Sequence, residues 1–209
     1  FETLLKKLRS FIDFKNLDEC VLEIDPRTVT PEDMEYYLGS GINRLSFGIQ
    51  DFDPQVQKAI NRIQPYELIE PLISGSLRQC SISFDLIYGL PFCTIKSFRE
   101  TFRLVKQLDP DRLAVYNYDH TPDIHKGMRA IRQENLPSLE EKTVMYVEGV
   151  THLLNNGYEY VGVDHFAKPT DVLAKAYKNQ TIWRNLNGYT TDREYNFEIG
   201  LGVSSISCF

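Results

Sequence analysis

Four short apolar runs, each ending in a polar cluster, constrain the fold of this chain more than any other feature. They are Cys20-Val21-Leu22-Glu23-Ile24-Asp25, Arg44-Leu45-Ser46-Phe47-Gly48-Ile49-Gln50-Asp51, Ser81-Ile82-Ser83-Phe84-Asp85-Leu86-Ile87 and Leu113-Ala114-Val115-Tyr116-Asn117-Tyr118-Asp119-His120. Turn residues and then a helical pattern follow each run. Strands alternating with helices imply a parallel sheet buried on both faces. In such sheets chemistry gathers at the carboxyl ends of the strands. Glu23, Gln50, Asp85 and Asp119 are therefore expected to meet at one mouth, although they are far apart in sequence.

The segments between the runs read as helices. Thr30 caps one, Pro31 suits its first turn and Asp33 sits at its positive end. Asp53-Pro54 repeats the device, with Val56, Ala59 and Ile60 facing inward. Pro65 and Pro71 interrupt the region 63–75. Thr94 opens a helix carrying Phe98, Phe102, Val105 and Leu108. Ser138-Leu139-Glu140-Glu141 is a capping box for a long helix that ends at Asn155-Asn156-Gly157. Glu159 to Val163 reads as a further strand, and residues 184–196 as turns. Phe1 to Phe14 reads as an amphipathic helix with Leu4, Leu5, Leu8 and Phe11 on one face. The chain does not begin with Met, and no strand precedes this helix. A fragment, incomplete at both ends, is the expectation.

The chain has 209 residues, which makes one domain the default. Its composition, 42% apolar and 25% charged, is that of an ordinary soluble globular protein. A net charge of −6 argues against nucleic acid as a partner, which needs a basic footprint. No apolar stretch is long enough for a membrane span, and no signal-peptide pattern occurs, so a cytoplasmic location is expected. Cys20, Cys80, Cys93 and Cys208 lack chelating spacing and read as free thiols; no metal site is expected from this chain.

Glu23 and Asp85 lie within apolar strands rather than beyond their ends. A buried carboxylate must find donors or a cation, or go neutral. Gln50 offers both donor and acceptor. Arg62, on the next helix, offers a planar fork for a carboxylate. This set suits a zwitterionic amino-acid nucleoside; an ordinary ion-pair network is the alternative reading.

Several strings carry a resemblance to a known family. They are Leu22-Glu23-Ile24-Asp25-Pro26-Arg27, Asn43-Arg44-Leu45-Ser46-Phe47-Gly48-Ile49-Gln50-Asp51-Phe52, Phe84-Asp85-Leu86-Ile87-Tyr88-Gly89-Leu90-Pro91 and Asp164-His165-Phe166-Ala167-Lys168-Pro169. With Asn185 to Thr191 and Gly200 to Ser207, the chain resembles the oxygen-independent coproporphyrinogen III oxidases. These are radical S-adenosylmethionine (SAM) enzymes of haem biosynthesis. The resemblance implies an α/β fold, a partial parallel barrel with a helical C-terminal domain. This chain resembles only the middle and later part, with β/α units over 1–118 and a substrate-side segment and barrel end over 119–209. The family's C-x3-C-x2-C motif, which holds a [4Fe-4S] cluster, is expected upstream, so the isolated fragment is expected to be inactive.

The resemblance further implies two SAM molecules. Glu23, Asp119 and Ile206 match positions at the first, and Gln50, Arg62 and Asp85 match positions at the second. Asp119 stands where the family usually has Ala, Met128 where it usually has Gln, and Cys93 where a polar residue is common. Reductive cleavage of SAM in this family gives a 5′-deoxyadenosyl radical, which takes hydrogen from a substrate propionate. Loss of CO2 and one electron leaves a vinyl group, twice per turnover, giving protoporphyrinogen. The porphyrinogen substrate carries four carboxylates, so Lys126 and Arg129, beside His125, are candidates to hold them; a solvated helical face is the alternative. An electron donor such as a flavodoxin-type protein is implied.

Three other readings compete. The haem chaperone relatives share the radical-SAM core, but Asp25-Pro26 and Gln64-Pro65 favour the oxidase. A metal-dependent barrel hydrolase could use Glu23, Asp85, His120, Asp164 and His165. A catalytically inactive domain is the third.

Overall fold

The computed structural model describes residues 1–74, 79–185, 188–191, 199–203 and 205–207. Cys208 and residues 192–196 of the expected turn region lie outside the described residues.

The four runs form β1 (Val21–Ile24), β2 (Arg44–Gln50), β3 (Ser81–Tyr88) and β4 (Arg112–Asn117). All three pairings among them are parallel, as the alternation requires. The fourth strand stops at Asn117, which leaves Asp119 and His120 beyond its end. Between the strands lie α2 (Pro31–Gly39), α3 (Pro54–Ala59), α4 (Tyr66–Ile69) and α5 (Ile95–Leu108). Local chemistry sets their starts. The Thr30, Thr94 and Ser138 hydroxyls accept from the backbone of Asp33, Ser97 and Glu141, and each forms a reciprocal capping box. Asp53 accepts from the backbone of Gln55 and Val56.

Two expectations need correction. The first helix, α1 (Glu2–Leu8), ends well before Phe14. Of its proposed apolar face only Leu5 is buried, while Leu4 and Phe11 are exposed. The sheet is also not parallel throughout. After α6 (Leu139–Asn155), β5 (Glu159–Gly162) and β6 (His165–Ala167) form an antiparallel hairpin, and β6 pairs antiparallel with β4. Two residues between β5 and β6 cannot make a crossover, so the chain must turn straight back. The sheet order is β1-β2-β3-β4-β6-β5. The helix α7 (Val172–Lys178) packs on that hairpin, and β7 (Trp183–Asn185) pairs with β8 (Gly188–Thr190).

The two faces of the sheet differ. Ile24, Leu45, Phe47, Ile49, Ile82, Phe84, Leu86, Leu113 and Val115 point to one face and form the core with Phe98, Phe102 and Val105 of α5. Period-2 alternation places Glu23, Ser46, Asp85, Tyr116 and His165 on the other face. The polar face is where function must reside, because the apolar face is already filled.

Candidate functional site

Glu23 and Asp85 line one cavity of about 210 Å³ on the polar face, with Ser46, Tyr116, His165 and Tyr189 around them. Strand register fixes the arrangement. Glu23 pairs with Ser46, Ser46 with Ser83, and Asp85 lies one pleat further along β3, opposite Gly48. The expected burial holds only for Asp85, and there in part; Glu23 is exposed to the cavity. Glu23 makes no hydrogen bond or ion pair among the described residues. Desolvation pushes the Asp85 carboxyl up to about 6, and the like charge of Glu23 adds to this; Arg62 and the Ser46 hydroxyl pull the other way.

Gln50 and Arg62 line a neighbouring cleft of about 600 Å³ with Tyr118, Met128 and Ile131. Arg62 donates from Nη2 to the Gly48 carbonyl at 3.0 Å and from Nε to Gln64 Oε1 at 2.9 Å. Its charge nevertheless reaches Asp85. Gln50 ends its strand at a register shift with φ of 65°. That left-handed conformation is costly for a residue with a Cβ, and such strain clusters at functional sites. Gly48 lies beneath it: a Cβ there would meet Arg62 Nη2 and Gln50 Nε2 at 2.8 Å, so any larger residue would push these two side-chain ends aside.

A buried polar chain props this strand end. Gln57 Nε2 donates to the carbonyls of Asp51 and Gln64, each at 2.9 Å. Gln64 Nε2 donates to the carbonyls of Gly48 and Ile49. Asp51 accepts from Thr101 Oγ1 at 2.6 Å and from the Asp53 N–H at 2.8 Å. Desolvation still raises the Asp51 carboxyl to about 6. Sequence reasoning missed Asp51, Gln57, Gln64 and Thr101. The signal was present, since polar residues follow the second run directly and cluster before Pro65.

The remaining candidates lie apart. Asp119 is exposed and lines neither opening. Lys126 and Arg129 share a short turn, Lys126–Ala130, and both are exposed; Arg129 Nε donates to the Pro122 carbonyl at 3.2 Å. Met128, from the same turn, does reach the Gln50 cleft. Ile206 is half exposed, and a Cβ on Gly200 would stand 2.6 Å from its carbonyl oxygen. His120 rests on Tyr118, whose hydroxyl is 3.2 Å from its Nδ1.

The two openings fit parts of SAM. Glu23 offers free acceptors for hydroxyls, the paired carboxylates suit a sulfonium, and Arg62 offers a fork. The described cysteines, Cys20, Cys80 and Cys93, do not fit an iron–sulfur cluster. Desolvation raises the thiol of Cys20, that of Cys80 to about 11 and that of Cys93 to about 12, so none is poised as a thiolate ligand. Among the described residues no group of three or more His, Cys, Asp or Glu is placed to hold a metal ion, which leaves the hydrolase reading without a centre. Among the described residues no helix is long and apolar enough to cross a membrane.

Residues 1–105 match the family described as the Radical SAM superfamily. A protein of Helicobacter pylori (strain ATCC 700392 / 26695) named oxygen-independent coproporphyrinogen III oxidase is 45% identical over 198 residues, which are 94% of this chain and 43% of that protein. The Escherichia coli (strain K12) protein of the same name is 40% identical over 206 residues, or 98% of this chain and 45% of that protein. A solved structure described as coproporphyrinogen III oxidase (HemN) from Escherichia coli, a radical SAM enzyme, superposes with a TM-score of 0.93 at 39% identity, covering 99% of this chain and 48% of that one. The chain thus spans about half the length of the relatives it matches.

Proposed function

The chain belongs to the radical SAM superfamily, and on that premise we propose that it is the central barrel segment of an oxygen-independent coproporphyrinogen III oxidase. The whole protein would decarboxylate two propionates of coproporphyrinogen III oxidatively to vinyl groups. Residues 1–118 supply the β/α units, and residues 119–209 the substrate side and barrel end. The names borne by relatives at 40–45% identity support this reading over a haem chaperone.

The observation that carries the reading is the cavity shared by Glu23 and Asp85 on the polar face of a parallel sheet. SAM held beside a reduced cluster, whose cysteines this segment lacks, would supply the hydrogen-abstracting radical. The residues here bind and orient. Glu23 accepts from ribose hydroxyls. Asp85 presents a carboxylate to positive charge, and its raised affinity for a proton is what a second cation would relieve. Arg62 and Gln50, on their strained and propped strand end, take the carboxylate and amino groups of a second SAM. Asp119 and Ile206 are assigned to the first SAM by resemblance. Lys126 and Arg129 remain candidates for the porphyrinogen, beside the Gln50 cleft. An electron donor of the flavodoxin type is part of the proposal.

The test is calorimetric titration of SAM into the intact protein and its Glu23→Gln and Arg62→Ala variants. Arg62→Ala is expected to lose about tenfold or more in affinity at one site. Wild-type affinity in both variants overturns the assignment.

A further inference from the structure

On the same sheet face as Glu23 and Asp85, Tyr116 and His165 line the cavity and Arg184 stands at its rim, and each has hydrogen-bonding capacity left unused among the described residues. Arg184, on β7, makes no hydrogen bond or ion pair among the described residues. Its guanidinium rests 5.1 Å from the centre of the Tyr189 ring. Arg184 is exposed and stands at the cavity's rim rather than in its wall, paired in register with the lining residue Tyr189, and its charge acts on Asp164, His165 and Tyr116. No ion pair with Asp164 forms among the described residues. Arg44 and Arg112 line the same cavity but are saturated by Glu19 and Asp171.

His165 is held edge-on between Tyr116 and Tyr189, at ring-centre distances of 6.0 and 5.1 Å. Tyr189 reaches this place over Gly162, where a Cβ would meet the tyrosine oxygen at 2.8 Å and where φ is +149°. The Nδ1 atom of His165 is shut from solvent and has no hydrogen-bond partner among the described residues. Desolvation, with the charges of Arg184 and Arg112 adding to it, pushes the imidazole down to about 4, so it is neutral at pH 7. A neutral imidazole carries one proton. A buried, unmatched N–H is rarer and costlier than an unmatched lone pair. The proton therefore belongs on Nε2, which lies on the Gly188 side, 3.8 Å from where a Cβ would stand. Tyr116 completes the group. Its hydroxyl makes no hydrogen bond among the described residues, and burial pushes it up to about 12, so it remains a donor.

We propose that Arg184, His165 through Nε2–H, and Tyr116 form a carboxylate-binding subsite at the rim of this cavity, on the same sheet face as Glu23 and Asp85. One fixed cation and two neutral donors suit a carboxylate, and an acidic wall opposite would orient a ligand that carries both charges. The inference rests on the functional reading above, which supplies two sources for the carboxylate: a substrate propionate or the methionyl carboxylate of SAM.

The experiment titrates the intact protein with SAM by calorimetry and with coproporphyrin III, the stable oxidised tetracarboxylate, by absorbance. Arg184→Ala is expected to weaken one of the two ligands at least tenfold at an unchanged melting temperature. Loss confined to coproporphyrin III assigns a propionate; loss confined to SAM assigns the methionyl group. Unchanged affinity for both overturns the subsite. His165→Gln, whose amide can reach the Nε2 position, is expected to keep affinity within about threefold. His165→Asn, whose amide reaches only the Nδ1 position, is expected to lose it. Equal losses in Gln and Asn overturn the role of Nε2. A wild-type protein that binds neither ligand overturns the functional reading itself, an outcome distinct from unaffected variants of a protein that binds.

Discussion

The two ends of the polar sheet face hold the same residue types and use them in opposite ways. At the amino ends of the strands, Arg44 donates to Glu19 at 2.8 Å, Asp171 at 3.0 Å and Ser83 at 3.2 Å. Arg112 donates to Asp171 at 2.7 Å and to Glu19 at 2.5 Å. Asp171 also accepts from the Leu173 N–H at 2.7 Å and so caps α7. Desolvation alone would raise its carboxyl, but Arg112 and Arg44 overcome that and hold it below the usual range. Toward the carboxyl ends, Glu23 and Arg184 are unpaired among the described residues, His165 has an orphaned nitrogen, and Asp85 resists ionisation. A closed network serves the fold. An open one costs stability and is kept where a ligand completes it.

That contrast breaks most visibly at Asp171. Asp171→Ala leaves Arg44, whose side chain is only 6% exposed, beside one half-shared acceptor. Denaturant unfolding is expected to show a loss of about 3–5 kcal/mol. A loss below about 1 kcal/mol would erase the distinction between the two ends.

The pH dependence of the two carboxylates has opposite signs. Asp171, held low, contributes stability above the ordinary carboxylate range and loses it as pH falls through its folded value. Asp85, raised from 3.8 to about 6, favours the folded state below 3.8 and loses that contribution as pH rises through 6. Asp85→Asn removes this penalty. The variant is expected to be more stable at pH 7.5 by about 1 kcal/mol after discounting for solvent screening, and to bind SAM more weakly. Parallel unfolding curves for wild type and variant across pH 4–7 would show that Asp85 is not raised.

The smallest effect is expected on the surface. Arg99 meets Glu148 at 2.5 Å, as close as any contact in the buried network, yet its side chain is 64% exposed. Arg99→Ala is expected to leave the unfolding midpoint unchanged within error in the same assay. A measurable shift would mean that distance, rather than burial, ranks these pairs.

Much of the fold was legible because its rules are local. Period-2 runs marked β1 to β4, and hydroxyl caps marked α2, α5 and α6 within a residue. The β5–β6 hairpin was not legible, since the turn rests on Val163 at φ of 51° and on no recognised turn pair. At the site, Glu23 and Asp85 were readable as charges out of place in apolar strands. Their division from Gln50 and Arg62 into adjoining openings was not, because it depends on a register shift at Gly48. Arg184 was hidden in a segment that read only as turns.

The sequence by itself determined the alternation of strand and helix, the caps, and which face of each strand is polar, because each depends on neighbours a few residues apart. Only the tertiary structure decided which charges are satisfied. Arg44 and Asp171 stand 127 positions apart, and their pairing is set by distance through a poorly screened interior. No chain-local pattern records that distance, so the same arginine letter marks a sealed network at position 44 and an open cation at position 184.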